Sequence, residues 1–404
     1  MGLLGILLIL LAAYGLSRDR GAVQWRVVWW GLGIQAGLAV LLLKTPARVV
    51  FEVLGAGFNS LMGFAEEGSK FVFGPDLGSA GGSQGVVIAF QVLPLIIFVA
   101  SLFAVLYYLG LMQRVVRVLA LAMQKTLGVS GAEALNMAAN VFMGQTEAPL
   151  TIRPYLDRLT RSELMMVMTG GMATISGALM VAYTQISGVP VEHLLTAVVI
   201  SAPGSIMLAK IMVPETEEPE TRGTVPTEVG GGDRNIIDAA ARGAGEGLYL
   251  ALQVGAMLVA FVGLIALVNG MMGAAREVTG LAWLPSNLQT VLGFLFAPIA
   301  FVIGVPWADA LSVGNLLGLR MVLNEFLAYI ELAALEGLIE PRSFLIAGYA
   351  LCGFANFGSI GVQVGGLGSL IPNRRGELAE LGLLAMAAGM LANFLTASLA
   401  GLLT

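Results

Sequence analysis

Within ten residues, Asn140-Val141-Phe142-Met143-Gly144-Gln145-Thr146-Glu147-Ala148-Pro149, the chain sets two amides, a hydroxyl, a carboxylate and a helix-breaking proline between segments apolar enough for a lipid bilayer. An ionised side chain near the bilayer centre costs roughly 2.5–3.5 kcal/mol on insertion scales, so a glutamate retained there marks a functional site. Gly144 and Pro149 bracket the cluster and predict two short helices meeting at a turn. The freed backbone groups of that turn must face a cavity, because hydrocarbon tolerates no lipid-exposed irregular backbone. The flanks justify this setting. Hydrophobic residues make up 57% of the chain and charged residues 12%, where soluble proteins average about 25% charged. The fold class is therefore an all-α, multi-pass membrane protein whose core is the bilayer. A net charge of -5, carried mostly by loops, argues against nucleic acid as a partner. The single cysteine, Cys352, excludes an intrachain disulfide and a cysteine metal site.

Taken in order, residues 3–16 form a short apolar helix whose positive charges, Arg18 and Arg20, follow it. That order opposes a cleaved signal peptide and puts the N-terminus outside. A second span covers 27–43. Residues 49–64 alternate Phe51, Leu54, Phe58, Leu61 and Met62 with polar positions and read as a helix lying in the interface without crossing. The Gly-rich 74–85 is a loop, 86–111 a third span, and Arg114, Arg117 and Lys125 mark a surface segment. A span at 164–186 contains the break-prone Gly170-Gly171-Met172-Ala173-Thr174-Ile175-Ser176-Gly177. A fifth, at 191–213, ends at the polar linker 214–234. In the long helix from 235 to 271, Asp238, Arg242 and Glu246 at i, i+4, i+8 read as a salt-bridged end at the water interface. Asp309 reads as a helix cap after Pro306-Trp307, and the only histidine, His193, as interfacial.

From residue 287 the first device recurs. The segment 287–334 is interrupted at Gly304-Val305-Pro306-Trp307 and carries Glu325 within Asn324-Glu325-Phe326. The span 344–367 holds Cys352-Gly353-Phe354-Ala355-Asn356-Phe357-Gly358-Ser359 in its middle, and a last helix covers 381–403. Two hairpin-plus-broken-helix units point to a transporter site at a repeat interface. The chain divides accordingly into scaffold helices with the interfacial helix (1–130), a first repeat (131–213), the linker (214–234), a long scaffold helix (235–286) and a second repeat (287–404). Threading eight crossings with two re-entrant hairpins sends fifteen of the 21 basic residues to the cytoplasmic side and leaves Lys44, Arg48, Lys70, Arg276, Arg320 and Arg342 outside. This is the expected positive-inside bias.

Between the hairpins the chain offers Glu147 and Glu325 as acceptors, Gln145, Asn324 and Asn356 as amides, and Thr146 and Ser359 as hydroxyls, with no Lys or Arg expected at that depth. The cargo is then neutral and rich in hydroxyls and amide-like edges: a nucleoside, or a free sugar. Glu325 also has a structural reading, as the partner of Arg320 five residues before it.

In order and spacing, Gly144-Gln145-Thr146-Glu147-Ala148-Pro149, Asn324-Glu325-Phe326 and Cys352-Gly353-Phe354-Ala355-Asn356 resemble the signatures of the concentrative nucleoside transporter family over nearly the whole chain. The resemblance implies eight transmembrane helices, two opposed hairpins in an inverted repeat, a homotrimer in the cell inner membrane, and import of nucleosides by symport with sodium or, in some members, protons. It assigns Gln145, Thr146 and Glu147 to the nucleobase, with Leu179 and Phe354 packing near it, and Glu325, Asn356 and Ser359 to the ribose. Sodium, the coupling ion, is implied at the first hairpin between the side chains of Asn140 and Thr174 and the carbonyls of Met143 and Ile175. Where sodium-coupled relatives often carry Ser, this chain has Thr174.

Other classes fit less well. Thr174-Ile175-Ser176-Gly177 resembles part of a rhomboid-type serine site but has only His193 to draw on, and Gly230-Gly231-Gly232-Asp233 resembles an aspartyl intramembrane protease motif but lies in the linker. A channel is disfavoured because two hairpins with different polar sets suit an occluded site.

Overall fold

In a computed structural model of the chain, residues 1–79, 87–225, 233–281, 283 and 285–404 are described. The helices run α1 (Gly2–Gly15), α2 (Trp25–Lys44), α3 (Arg48–Phe73), α4 (Pro75–Gly78), α5 (Ile88–Tyr108), α6 (Leu111–Leu127), α7 (Gly131–Asn140), α8 (Arg161–Ala173), α9 (Gly177–Ser187), α10 (Val191–Met212), α11 (Ile236–Thr279), α12 (Leu288–Val302), α13 (Trp307–Val322), α14 (Glu325–Ala333), α15 (Pro341–Leu351), α16 (Phe357–Leu370) and α17 (Arg375–Leu403). A 3-10 helix, Ala148–Arg158, follows the turn after α7. The Gly-rich loop is helical at α4 before it leaves the described residues, and of the Gly-Gly-Gly-Asp motif only Asp233 is described.

Among the described residues seven helices are long and apolar enough to cross a membrane, or eight if α12 and α13, bent by 117°, count as one span. The tally departs from the sequence reading in three places, one being the expected span 344–367, which is divided into the 11-residue α15 and the 14-residue α16. The 26-residue α3 extends beyond the interfacial 49–64 and qualifies by length, whereas α1, with 14 residues, is short. Helices α10 and α17 pack on each other and on α8 at the centre, while α3 and α11 turn most of their apolar length outward.

The order of elements repeats. Helices α5, α6, α7, the 3-10 helix, α8, α9 and α10 are matched by α11, α12, α13, α14, α15, α16 and α17, each series giving a long helix, a shorter one, a two-part hairpin, a broken helix and a closing helix. The correspondence reaches back beyond the boundaries at 131 and 287, and the second hairpin turns at Asn324, between α13 and α14.

Local chemistry fixes these turns. Ser130-Gly131-Ala132-Glu133 and Thr160-Arg161-Ser162-Glu163 both form capping boxes, starting α7 and α8. The Ser130 hydroxyl also donates to Glu163 (2.5 Å), and buried Lys210 reaches Glu133 (2.5 Å), Glu215 (3.1 Å) and Ser162 (3.0 Å), latching the base of the first hairpin. Asp309, predicted as a cap for its own helix, instead accepts from the Glu340 amide (3.1 Å) and the Ser343 hydroxyl (2.6 Å) and so caps α15.

The two breaks, Thr174–Ser176 and Cys352–Asn356, lie against each other. The Phe354 amide donates to the Thr174 carbonyl (3.3 Å). Asn393 of α17 donates to the carbonyls of both Ala173 (2.7 Å) and Cys352 (2.8 Å). A helix that stops inside a protein leaves its last carbonyls unpaired, and one amide here serves two such ends. Gly353 is required at this crossing, since a Cβ there would lie 2.9 Å from the Met172 carbonyl oxygen. Replacing Asn393 by Ala strands both acceptors. Each buried unsatisfied group costs about 1–3 kcal/mol, so thermal unfolding in detergent is expected at a clearly lower temperature than for the parent, and an unchanged midpoint contradicts this role.

Candidate functional site

The second half of each broken unit starts with a side-chain cap. Ser176 caps α9, Asn324 caps α14 by accepting from the Leu327 amide (2.9 Å), and Asn356 caps α16 by accepting from the Ser359 amide (2.8 Å). Capping fixes the Asn356 amide with its oxygen toward the helix and its nitrogen outward, where it donates to Glu325 Oε2 (3.0 Å). The other Glu325 oxygen accepts from the Tyr183 hydroxyl of α9 (2.7 Å). Tyr183 is in turn stacked on Tyr329, with ring centres 4.7 Å apart. On the far side Gln145 donates to the Ser359 hydroxyl (3.3 Å) and accepts from Gln363 (3.1 Å), which also donates to the Met168 carbonyl (3.0 Å). Gly171 permits this approach, because a Cβ there would sit 2.8 Å from both Gln145 Cβ and Gln363 Nε2.

The structure thus gathers Gln145, Glu325, Asn356 and Ser359 along one polar seam between the two hairpins. Thr146 lies beside it, its methyl facing Gly366 of α16. Leu179 and Phe354 are buried, one in the first turn of α9 and the other inside the second break. Tyr183 and Gln363 belong to the seam and were not singled out from the sequence; a hydroxyl and an amide on otherwise apolar helical faces were the available signal.

Glu147 is separate from the seam. It accepts from the Gly144 amide (3.2 Å) and opens into a cavity of about 140 Å³ that is also lined by Phe103, Met143, Ser176, Arg242 and Glu246. Arg242 is held by Asp233 (2.8 Å) and Glu246 (2.9 Å), so the pairing with Glu246 is as expected, whereas Asp238 accepts from the Arg234 amide (2.9 Å) and Asp233 takes its place; this charged end of α11 borders the cavity as well as water. The Arg242 hydrogen bond holds the Asp233 carboxyl below its ordinary range.

Two expectations about cations are corrected. Arg320, assigned to the outer surface, is fully buried, so an arginine does stand at the depth of the site. It forms no ion pair with Glu325 among the described residues; its guanidinium donates to the carbonyls of Ala350 (2.5 Å) and Gly353 (3.3 Å) and to the Asn393 side-chain oxygen. Helix α13 ends two residues after Arg320, and a polar group buried there must find partners. The break in α15–α16 supplies carbonyls that have no helical donor.

At the first break, Asn140 is fully buried. Its amide nitrogen donates to the Asn136 carbonyl (3.1 Å) and side-chain oxygen (3.0 Å), and its own side-chain oxygen has no partner. An orphan buried acceptor is what a bound hard cation satisfies. The Thr174 hydroxyl donates to the Gly170 carbonyl (2.9 Å), leaving its oxygen lone pairs available. Met143 and Ile175 flank the same region, Met143 on the wall of the Glu147 cavity and Ile175 inside the break. The donor set present fits sodium. Ser176 serves as a cap and His193 approaches the Tyr349 hydroxyl (3.3 Å), so the serine-protease resemblance has no geometry behind it.

Models described as the N-terminus and C-terminus of a Na+ dependent nucleoside transporter match residues 4–76 and 193–401, and one described as nucleoside recognition matches 89–190. The chain is 44% identical to the Bacillus subtilis uncharacterized transporter YutK, with 99% of this chain and 98% of that protein covered. It is 39% identical to the Helicobacter pylori nucleoside permease NupC, with 98% and 96% covered. It is also 40% identical to the rat sodium/nucleoside cotransporter 1, over 99% of this chain and 63% of that longer protein. Among solved structures, CNTnw in an inward-facing substrate-bound state is 42% identical and superposes with a TM-score of 0.92, covering 100% of this chain and 98% of that one. These relatives are transporters and not enzymes, and the chain is a multi-pass membrane protein of the concentrative nucleoside transporter family.

Proposed function

We propose that this protein imports nucleosides across the cell inner membrane by alternating access, coupled to the sodium gradient, as a homotrimer whose protomers each have eight crossings and two opposed re-entrant hairpins. The hairpins are α7 with the 3-10 helix and α13 with α14, in an inverted repeat. The observation that carries the reading is the seam joining them: a carboxylate, a capping asparagine, two hydroxyls and two glutamines link both hairpins to both broken helices. Glu325, Asn356 and Ser359 present acceptors and donors suited to ribose hydroxyls, and Gln145, Thr146 and Glu147 suit the edge of a base, with Leu179 and Phe354 alongside. Tyr183 occupies a Glu325 oxygen that a ribose hydroxyl would otherwise use, and so acts as a place-holder. Sodium binding is supported by the orphan oxygen of Asn140 and the relatives named as sodium/nucleoside cotransporters.

Charge supports a neutral cargo. The two arginines near the site are spent, Arg242 on Asp233 and Glu246, Arg320 on three oxygens. A nucleoside 5′-monophosphate would bring about two negative charges beside two carboxylates, without a free counter-charge. In proteoliposomes, uridine uptake should therefore be inhibited by other nucleosides and not by nucleotides; equal inhibition by both contradicts the assigned site. Uptake driven by a pH gradient and indifferent to sodium would replace sodium by protons.

Two substitutions separate the carboxylates. Glu325→Gln removes a charge-assisted bond and should weaken uridine binding about ten- to a hundred-fold, while nearly abolishing the penalty for 3′-deoxyuridine. Glu147→Gln should keep that penalty and change the sodium dependence. A full 3′-hydroxyl penalty in Glu325→Gln removes Glu325 from the ribose.

Tyr183→Phe frees one Glu325 oxygen. On the place-holder reading, uridine binds Tyr183→Phe at least as tightly as it binds the parent. A loss as large as that of Glu325→Gln, measured by titration, would make Tyr183 a positioning residue for the carboxylate instead.

A further inference from the structure

Helices α7 and α13 hold matching places, each being the first arm of a hairpin and each ending near a broken helix. The two breaks present the same electrostatic problem. An α-helix carries about half a negative charge at its C-terminal carbonyls, which favours a cation there. At the second break the cation is covalent: Arg320 sends its donors to Ala350 in the last turn of α15, to Gly353 in the break, and to Asn393. At the first break the side chains that bond its carbonyls are neutral, and the nearest charged group, Glu147, is an anion across the cavity from Ser176. Asn393 and Ser201 (3.3 Å) share the Ala173 carbonyl, Thr174 bonds back to Gly170, and the Asn140 oxygen is left without a partner.

We propose that Arg320 is a tethered cation, its guanidinium filling in the second unit the place that a free coupling ion takes in the first, so that one ion accompanies each nucleoside. The inference rests on the sodium reading above but concerns the other half of the molecule. An arginine suits the task because its planar fork reaches several oxygens at once and keeps its charge when buried. Burying an unpaired charge is costly, and three neutral oxygens offset that cost without an ion pair. A lone sodium at the same place would leave with the cargo, whereas Arg320 stays. Asn393 joins the two sites directly, since its oxygen accepts from Arg320 while its nitrogen holds the carbonyls of Ala173 and Cys352.

The test compares the parent, Arg320→Ala and Arg320→Lys in proteoliposomes, reading uridine uptake against sodium concentration and the ratio of radioactive sodium to uridine moved. The parent is expected to move one sodium per uridine with a Hill coefficient near one. Arg320→Ala should lose roughly tenfold or more of its uptake, as removal of a charge-assisted group from a helix end implies. Uptake should return with added guanidinium chloride at non-denaturing concentration, or at high sodium with the Hill coefficient rising toward two. Arg320→Lys keeps the charge and should keep one-to-one coupling. Parental uptake with unchanged sodium order in Arg320→Ala overturns the proposal, as does equal rescue by neutral urea. Should Arg320→Ala fail to fold, the parent ratio decides: two sodium ions per uridine place a free ion in both units and end the idea. A parent that ignores sodium or does not carry uridine instead defeats the proposed function, before any variant is compared.

Discussion

The crossing of two interrupted helices is what the rest of the molecule depends on. A backbone that stops being helical inside a membrane protein exposes carbonyls that no lipid can satisfy, and each must find a donor within the protein. Here α8 and α15 stop beside each other, and Asn393, Ser201, Arg320 and the Phe354 amide supply those donors. Only because these ends are satisfied can the halves beyond the breaks begin again with Ser176 and Asn356 as caps, which in turn aims the Asn356 amide at Glu325.

The seam that follows is thin. Tyr183, Glu325, Asn356, Ser359, Gln145 and Gln363 touch one another through single hydrogen bonds of 2.7–3.3 Å. Such bonds contribute about 1 kcal/mol each net of water, and about 1.5–3 kcal/mol where the Glu325 carboxylate accepts, so a ligand offering equivalent groups to the same acceptors can replace them at little cost. On the proposed reading this makes the closed seam a resting arrangement that cargo opens. The bases of the hairpins are built differently. Lys210 with Glu133, and Asp309 with the start of α15, are buried and multiply bonded, so movement is expected at the tips and not at the roots.

Glu147 and Glu325, which look alike in the sequence, sit in unlike surroundings. Glu325 is buried, with both oxygens occupied by uncharged donors, whereas Glu147 has one backbone partner and opens to a cavity bordered by the Arg242 cluster. On the proposed reading, unequal roles follow from that difference in solvation.

The amino-acid sequence by itself determined the class of the fold, the position of the first hairpin turn and of both breaks, and most of the polar residues that meet there. The interruption it showed at residues 304–307 separates α12 from α13, and the second hairpin turns at Asn324. Apolar length, glycine, proline and intramembrane polarity are local signals that survive without neighbours. The capping boxes at Ser130 and Thr160 were equally local, and their spacing was there to be read. Only the tertiary structure decided the rest. It put Arg320 in the interior, turned Asp309 toward α15, brought Tyr183 and Gln363 to the site, and set Glu147 apart from the seam. Each of these depends on partners between 30 and 218 residues away. No window of sequence contains both members of such a pair, and the charge of a residue like Arg320 reveals nothing of whether water or a severed helix end will receive it.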